Sequence, residues 1–416
     1  MTERPAGPRM ISVAVDGLFS PVLDSQVVVP LAVLGRVAPH IRRALLVLTS
    51  QRHNRHPKLA ERKAQVEQAV AGAQVFLWDR WPIGTPFEAR QWARRLQAAL
   101  HAAGYTGPQP IIVHCRGRGP AYAAALLRLH DPRLRILLDA RGAAVDEVAA
   151  PGLLGWWQRR VASRGLQVAI GAADALNTVS TVLAAHLEET GRFRPGIPRT
   201  VVGCCADTQR FYFDPAIREQ RRVELGFDAR FVVCYCGAMS HWQRPDALAA
   251  AFAAIAADMP DAHLLIVSRE AEPLLEQLRS AGVSPERWTV RSARHEEVAS
   301  YLMAADVGLL LRENTLTNRV ASPVKFTEYL RCGLPVILTP YIGDFSGFAG
   351  RHGVGVAIEF PVRPAEAVAA ARQVRERLAA EGDAYRARCS AVAGEHFSWD
   401  AQIRQLVDVY ERLAAT

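Results

Sequence analysis

Lysine is nearly missing from this 416-residue chain. Of its 50 basic residues, only Lys58, Lys63 and Lys325 are lysine; the other 47 are arginine. Other absences exclude whole chemistries. There is no Gly-x4-Gly-Lys-Ser/Thr, which removes a P-loop phosphate site. Neither His-Glu-x-x-His nor Gly-x-Ser-x-Gly occurs, so a zincin helix and a hydrolase elbow are both unwritten. Asp-x-Asp is absent, and with it the usual carboxylate clamp for a metal diphosphate. The seven cysteines form no Cys-x-x-Cys pair and no array with histidine, which argues against disulfides and structural zinc. Cys204, Cys205, Cys234 and Cys236 lie in apolar stretches and read as small reduced core residues. No apolar run reaches the ~18 residues of a spanning helix, and residues 1–9 lack the apolar core of a secretory signal. A reduced, cytoplasmic, globular chain is the expectation.

Half of the residues are apolar, and the length suits two domains, each with its own core. Short apolar runs recur throughout. In the first half they are 11–15, 44–49, 74–78, 111–114, 135–139, 175–179 and 200–203; in the second, 231–236, 263–268, 288–290, 307–311, 335–339 and 354–358. Helix-length segments separate most of them, for example 120–129 and 245–257. This alternation predicts an α/β chain of parallel sheets covered on both faces. The boundary is placed at 205/206, giving domains 1–205 and 206–397, with an amphipathic final helix over 398–416. Two doubly wound domains of this kind bind ligands outside the C-terminal ends of their strands.

Charge divides unevenly. Residues 1–200 carry 26 Lys and Arg against 14 Asp and Glu; residues 201–416 carry 24 against 27. A basic first half suits a lipid headgroup, a lipid-linked diphosphate or nucleic acid, or simply a solvated arginine surface. Nucleic acid is disfavoured, because aromatics are not interleaved in the basic stretches.

The densest signal is Ser322-Pro-Val-Lys325-Phe-Thr-Glu328-Tyr-Leu-Arg-Cys-Gly333-Leu-Pro335-Val-Ile337. It reads as a loop, a helix and the next strand: Ser322 as the capping hydroxyl, Pro323 at the first helical position, Gly333 at the close. Lys325 and Glu328 then share one face near the positive helix end. That corner suits an anionic ligand with hydroxyls, although an i,i+3 ion pair fits the spacing too. Gly237, at the end of an apolar run, lets backbone amides approach a diphosphate, or simply turns the chain. Gly117-Arg-Gly119 is a tight strand-to-helix turn, with Tyr122 where a dinucleotide fingerprint needs its third glycine. His53 and His56 sit in a basic loop and read as solvated rather than metal-binding.

These stretches, with Tyr235-Cys-Gly237-Ala-Met-Ser-His-Trp242-Gln243-Arg244 and Ala304-Ala-Asp306-Val-Gly-Leu, resemble the donor domain of retaining glycosyltransferases of the GT-B architecture, family 4 in particular. Asp174 to Ser180, Cys204 to Phe211 and the Phe397-Ser-Trp399 helix resemble the flanking parts of that family. The resemblance implies two Rossmann-like domains facing a central cleft. It also implies a nucleotide diphosphate sugar as donor, a glycan or lipid-linked acceptor, retention of configuration, and no metal or cofactor. Carried over by position, Glu328 implies binding of the ribose hydroxyls and Lys325 contact with the diphosphate, beside Gly237 and Ser322.

Three departures accompany it. Ala321 stands where the family has the first glutamate of its pair, with Glu313, Asn318 or Arg319 as candidate substitutes. Ala238 and Gln243 replace an Arg and a Lys, leaving Arg244 to supply that charge or to sit in solvent. Asp139-Ala-Arg141-Gly142 replaces the usual histidine region of the first domain. On the acceptor side the candidates are Asp16, Gly17, His114, Arg116 and Asp139, with Arg141 as a further catalytic candidate or a structural partner of Asp139. Trp156, Trp157, Arg159 and Arg160 suit a membrane interface or a helix packed on the sheet. Two other functions share these features: a nucleotide-sugar 2-epimerase, for which no general-base carboxylates are evident, and a non-catalytic subunit.

Overall fold

In the computed structural model, residues 7–50, 55–80, 86–143, 152–239, 241–294 and 296–416 are described; residues 1–6, His53 and Ser240 of the readings above fall outside them. The chain divides into two compact units, Met1–Gly203 with Gln402–Thr416, and Cys204–Ala401. The first holds β1 Arg9–Ala14, β2 Arg42–Ser50, β3 Ala73–Arg80, β4 Ile111–Arg116, β5 Leu134–Ala140, β6 Ala175–Thr178 and β7 Arg199–Val201. The second holds β8 Phe231–Cys236, β9 Ala262–Val267, β10 Trp288–Arg291, β11 Val307–Leu310, β12 Val336–Leu338 and β13 Gly355–Ala357. Each of the apolar runs read from the sequence overlaps one of these strands.

The sheet orders are β3-β2-β1-β4-β5-β6-β7 and β10-β9-β8-β11-β12-β13, and every recorded pairing is parallel. Both are doubly wound orders. In each, the order reverses at one place, between β1 and β4 in the first unit and between β8 and β11 in the second. A crevice for ligands opens outside the strand C-termini at such a reversal.

The second sheet shows why its strands are continuously apolar. Successive side chains point to opposite faces, so Val232, Cys234 and Cys236 join one core layer with Leu265 and Leu310. Phe231, Val233 and Tyr235 join the layer on the other face with Leu264 and Leu309. With helices over both faces, no position of β8 is left for a polar residue.

At the opposite end of β11 from the ligand side, buried Asp306 is gripped by three arginines. Arg218 and Arg386 each donate to Oδ1 at 2.6 Å, Arg222 to Oδ2 at 3.2 Å, and the Val232 amide to Oδ2 at 2.8 Å. Desolvation works to raise its pKa, but the three guanidiniums win and hold it below the usual carboxylate value. The final helix, Trp399–Ala414, buries Ile403, Leu406, Val409, Tyr410 and Leu413, the one-sided spacing of an amphipathic helix. From Gln402 onward it belongs to the first unit.

Candidate functional site

The corner after β11 is built differently at its start than the sequence suggests. The helix runs Val324–Arg331, flanked by Pro323 at φ −70° and ψ 123°, with no side-chain cap. Ser322 is therefore not the capping residue. A proline disfavours helical geometry in the residue before it, and the Ser322 hydroxyl instead accepts the Cys204 amide at 2.9 Å. Gly333 follows the helix as read. Lys325 stands in the first turn, and Glu328 three residues on, both half-buried.

Lys325 does not pair with Glu328. Its ammonium donates to the Tyr235 hydroxyl at 2.9 Å and lies 4.4 Å from the centre of that ring. The Tyr235 hydroxyl in turn donates to the Ala238 carbonyl at 2.7 Å, so it can only accept from the ammonium, and the ammonium is held by a fixed acceptor. The Glu328 carboxylate makes no hydrogen bond or ion pair within the described residues. Gly237, φ 122°, closes the arrangement: a Cβ there would lie 2.5 Å from Lys325 Cε and 2.7 Å from its Nζ. Only a residue without a side chain lets the ammonium sit over the end of β8.

The electrostatics describe an unsatisfied site. Burial, with Arg312 adding to it, pulls the Lys325 ammonium down to about 7, while Cys236 and Glu328 act in the other direction. Burial pushes the Glu328 carboxyl up to about 7, against the pull of Lys325 and Arg210. Burial also lifts the Cys236 thiol to about 12, so it is an inert neighbour and not a nucleophile. A cation and an anion, each disfavoured in its charged form, stand one turn apart, and each would be satisfied by a ligand of the opposite features: negative charge for one, hydroxyl donors for the other.

Arg244 is at the same end of the sheet but is already occupied. It precedes the helix Pro245–Asp258 at φ 52°. Its guanidinium is held by Asp246 at 2.6 Å and Glu313 at 2.7 Å, over the Phe360 ring at 4.6 Å. The two carboxylates push its pKa up, and Glu313 is thereby engaged too. The cation beside Lys325 is Arg312, which the sequence reading did not single out. It is buried, donates to the Trp242 carbonyl at 3.0 Å and has its amide fixed on Thr339 Oγ1 at 2.9 Å. Arg210, a further cation of this end, acts on Glu328 and stands in the Cys204–Phe211 stretch quoted above, but its nearness to Glu328 has no local signature.

The first unit gathers its candidates at the strand ends around its own order reversal. Arg116, closing β4, donates to Asp16 at 2.7 Å, just past β1. Asp139, near the end of β5, is buried and accepts from Asn177 at 2.7 Å. Arg141 and His114 each stand 3.4 Å away, and Arg116 at 3.9 Å. Desolvation opposes its ionisation, but Arg141, His114 and Arg116 outweigh it and drive its pKa far down. The other ring nitrogen of His114 meets the Tyr410 hydroxyl at 2.7 Å, so both its nitrogens are used. Gly17 only closes a turn, accepting the Ser20 amide at 2.8 Å. A cavity of about 1000 Å³ lies here, lined among others by Asp16, Trp92, Arg116, Arg118, Tyr122 and Arg141.

Comparison with known proteins bears on the fold. Sucrose-phosphate synthase from Thermosynechococcus elongatus superposes with a TM-score of 0.71 at 16% identity, over 98% of this chain and 99% of that one. HepE from Anabaena, in complex with UDP, gives 0.69 at 14% identity over 97% and 100%. The fold is GT-B. Residues 230–378 match the family model described as glycosyl transferases group 1, a span that contains Gly237, Arg312, Lys325 and Glu328. The GT-B architecture is shared with a putative UDP-N-acetylglucosamine 2-epimerase from Listeria monocytogenes, at 0.61 and 13% identity over 99% of this chain and 98% of that one. Among curated proteins none matches the chain.

Proposed function

We propose that the protein is a retaining glycosyltransferase of the family 4 kind. It moves a sugar, without a metal, from a nucleotide diphosphate sugar to a glycan or lipid-linked acceptor. The observation that carries this reading is Lys325 held over Gly237 beside an unpaired Glu328, at the order reversal of a parallel sheet. The group 1 match over residues 230–378 and the UDP bound by HepE support it. In this reading Glu328 accepts from the ribose hydroxyls, in charged hydrogen bonds worth about 1.5–3 kcal/mol each. Lys325, with Arg312 behind it, stabilises the charge that grows on the departing diphosphate. Retention is supported by the family 4 resemblance. Glu328 is taken up with the ribose in this reading, and among the described residues no second carboxylate is paired with it for a double displacement, so the acceptor hydroxyl attacks from the face the diphosphate leaves. The basic first half supports an anionic membrane surface on the cytoplasmic side as the setting, and surface polysaccharide assembly as the pathway class.

A thermal-shift screen of nucleotide sugars identifies the donor, since a ligand that binds only the folded state raises its melting temperature. With that donor, Lys325→Ala is expected to lower kcat by about 10²–10³-fold while the fold is kept; undiminished turnover in that variant removes the assignment. A second reading, 2-epimerisation of the sugar nucleotide, is favoured by one observation, the epimerase among the structural neighbours. Incubating donor without acceptor separates the two: an inverted carbon 2 in the recovered nucleotide sugar belongs to the epimerase alone.

A further inference from the structure

The first turns of the helix Gly152–Ala172 have an outer face that the fold of their own unit does not use. The inner side of the helix buries Gly155, Ala162, Gly165, Ala169 and Ile170. On the outer side Leu153 is 87% exposed, Trp156 55%, Trp157 43% and Val168 41%. Leu153, Trp156, Trp157 and Arg160 follow one another at steps of one or three residues, which places them on a single helical stripe. Four of the eleven exposed large apolar side chains recorded for the described residues lie on this one helix. Leaving two tryptophans and a leucine in water on one helix face is costly unless something covers them.

The charges on the helix say what covers it. Residues 152–172 contain Arg159, Arg160 and Arg164 and no Asp or Glu, and the Arg160 guanidinium lies over the Trp156 ring at 5.4 Å. A protein partner's apolar patch would not by itself call for arginines among the tryptophans, whereas an anionic bilayer supplies both halves. Indole rings settle at the headgroup level and arginines meet the lipid phosphates. The helix is too polar to cross: none of the described helices is long and apolar enough to span a membrane.

We infer that the outer face of Gly152–Ala172 docks flat on an anionic lipid surface, with Leu153, Trp156 and Trp157 inserted at the headgroup boundary and Arg160 on lipid phosphate. The C-terminal half of the same helix, Val161 and Ser163 to Val168, contributes to the wall of the cavity in the first unit. Docking there brings that cavity to the membrane, where a lipid-linked acceptor would be presented. That last consequence rests on the proposed transferase reading; the docking itself does not.

The test is sedimentation of the full chain with vesicles of phosphatidylcholine alone or mixed with phosphatidylglycerol, without donor or acceptor. Wild type is expected to bind the mixed vesicles and to be released as salt is raised, because the Debye length shrinks from ≈10 Å at 0.1 M to ≈3 Å at 1 M. Trp156→Ala/Trp157→Ala should weaken binding about a hundredfold, and Arg160→Gln about fivefold. All three side chains are exposed, so melting temperature and nucleotide-sugar affinity should stay at wild-type values. Wild type that ignores mixed vesicles, that binds neutral ones equally well, or that loses nothing in the double tryptophan variant overturns the inference, as does binding to duplex DNA in place of vesicles. Vesicle binding by a protein with no transferase activity would sink the proposed function and leave the docking face standing.

Discussion

Two side chains are poised at the edge of ionisation by burial, and a ligand should decide their state. Lys325 and Glu328 both titrate near about 7 in the free protein. A bound diphosphate favours the ammonium and so raises its pKa; ribose hydroxyls donating to the carboxylate favour its ionised form and so lower that pKa. Below pH 7 Lys325 is already protonated, and binding must strip a proton from Glu328. Above pH 7 Glu328 is already ionised, and binding must load a proton onto Lys325. Titration calorimetry of a nucleotide sugar, whose diphosphate is a diester and does not ionise in this range, should therefore show net proton release at pH 6 and net uptake at pH 8 when repeated in buffers of different ionisation enthalpy. In Glu328→Gln the acid-side release should vanish and affinity should fall about tenfold. Buffer-independent heats in the wild type would mean that these two groups do not face the ligand.

At the scale of elements, the approach of strand end to helix start makes the site. Gly237→Ala places a methyl 2.5 Å from Lys325 Cε at a backbone angle that costs a side chain about 1–3 kcal/mol. It should therefore lower both stability and nucleotide-sugar affinity. Gly226→Ala is the control. It too has positive φ, at 66°, but a Cβ there meets nothing within 4 Å, so stability alone should fall; equal affinity losses in the two variants would show that the Lys325 contact is irrelevant. These elements were legible because periodicity is a local property. β8 and β11 are uninterrupted apolar runs that only a two-sided sheet can bury, and Lys325 with Glu328 stood out by spacing and by lysine scarcity. What escaped depends on contacts across the fold. The sequence leaves Arg244 as a charge for the ligand or a side chain in solvent, and beyond Asp246, two positions on, nothing near it announces Glu313, 69 positions away, which also takes its guanidinium. Arg312 sits at the end of a buried strand, where only the packed fold tells which way the side chain turns. Ser322 fitted a cap by residue type and lost that role to Pro323 and the Cys204 amide. The i,i+3 spacing of Lys325 and Glu328 allowed an ion pair or a shared ligand, and the Tyr235 hydroxyl, 90 positions back, removes the ion pair.

Across the whole molecule, each unit holds one buried aspartate among several cations, and the two stand at opposite ends of their sheets. Asp139 lies at the C-terminal end of β5, and its partners Arg116 and Arg141 line the cavity, so its charge is bound up with a site. Asp306 precedes β11, and from it to Arg312 the chain runs roughly 20 Å if extended, so its charge serves the core. Replacing it should separate stability from binding. Asp306→Asn keeps the volume but leaves Arg218, Arg222 and Arg386 without a counter-charge, which for a buried pair costs about 3–5 kcal/mol. The pH dependence has a defined sign. The carboxyl is held below its unfolded value of about 3.9, so its contribution is present in full above that pH and drains away as pH falls through the lower folded value. Urea unfolding of the wild type should thus lose stability more steeply below pH 4 than the Asn variant, which has no such contribution to lose. At pH 7 the variant should unfold at clearly lower urea, while the fraction still folded binds nucleotide sugar with wild-type affinity. A variant as stable as the wild type would show that the arginine cluster is not held by this carboxylate. A folded variant with weakened nucleotide binding would show that the charge at the far end of β11 reaches the Lys325 corner after all.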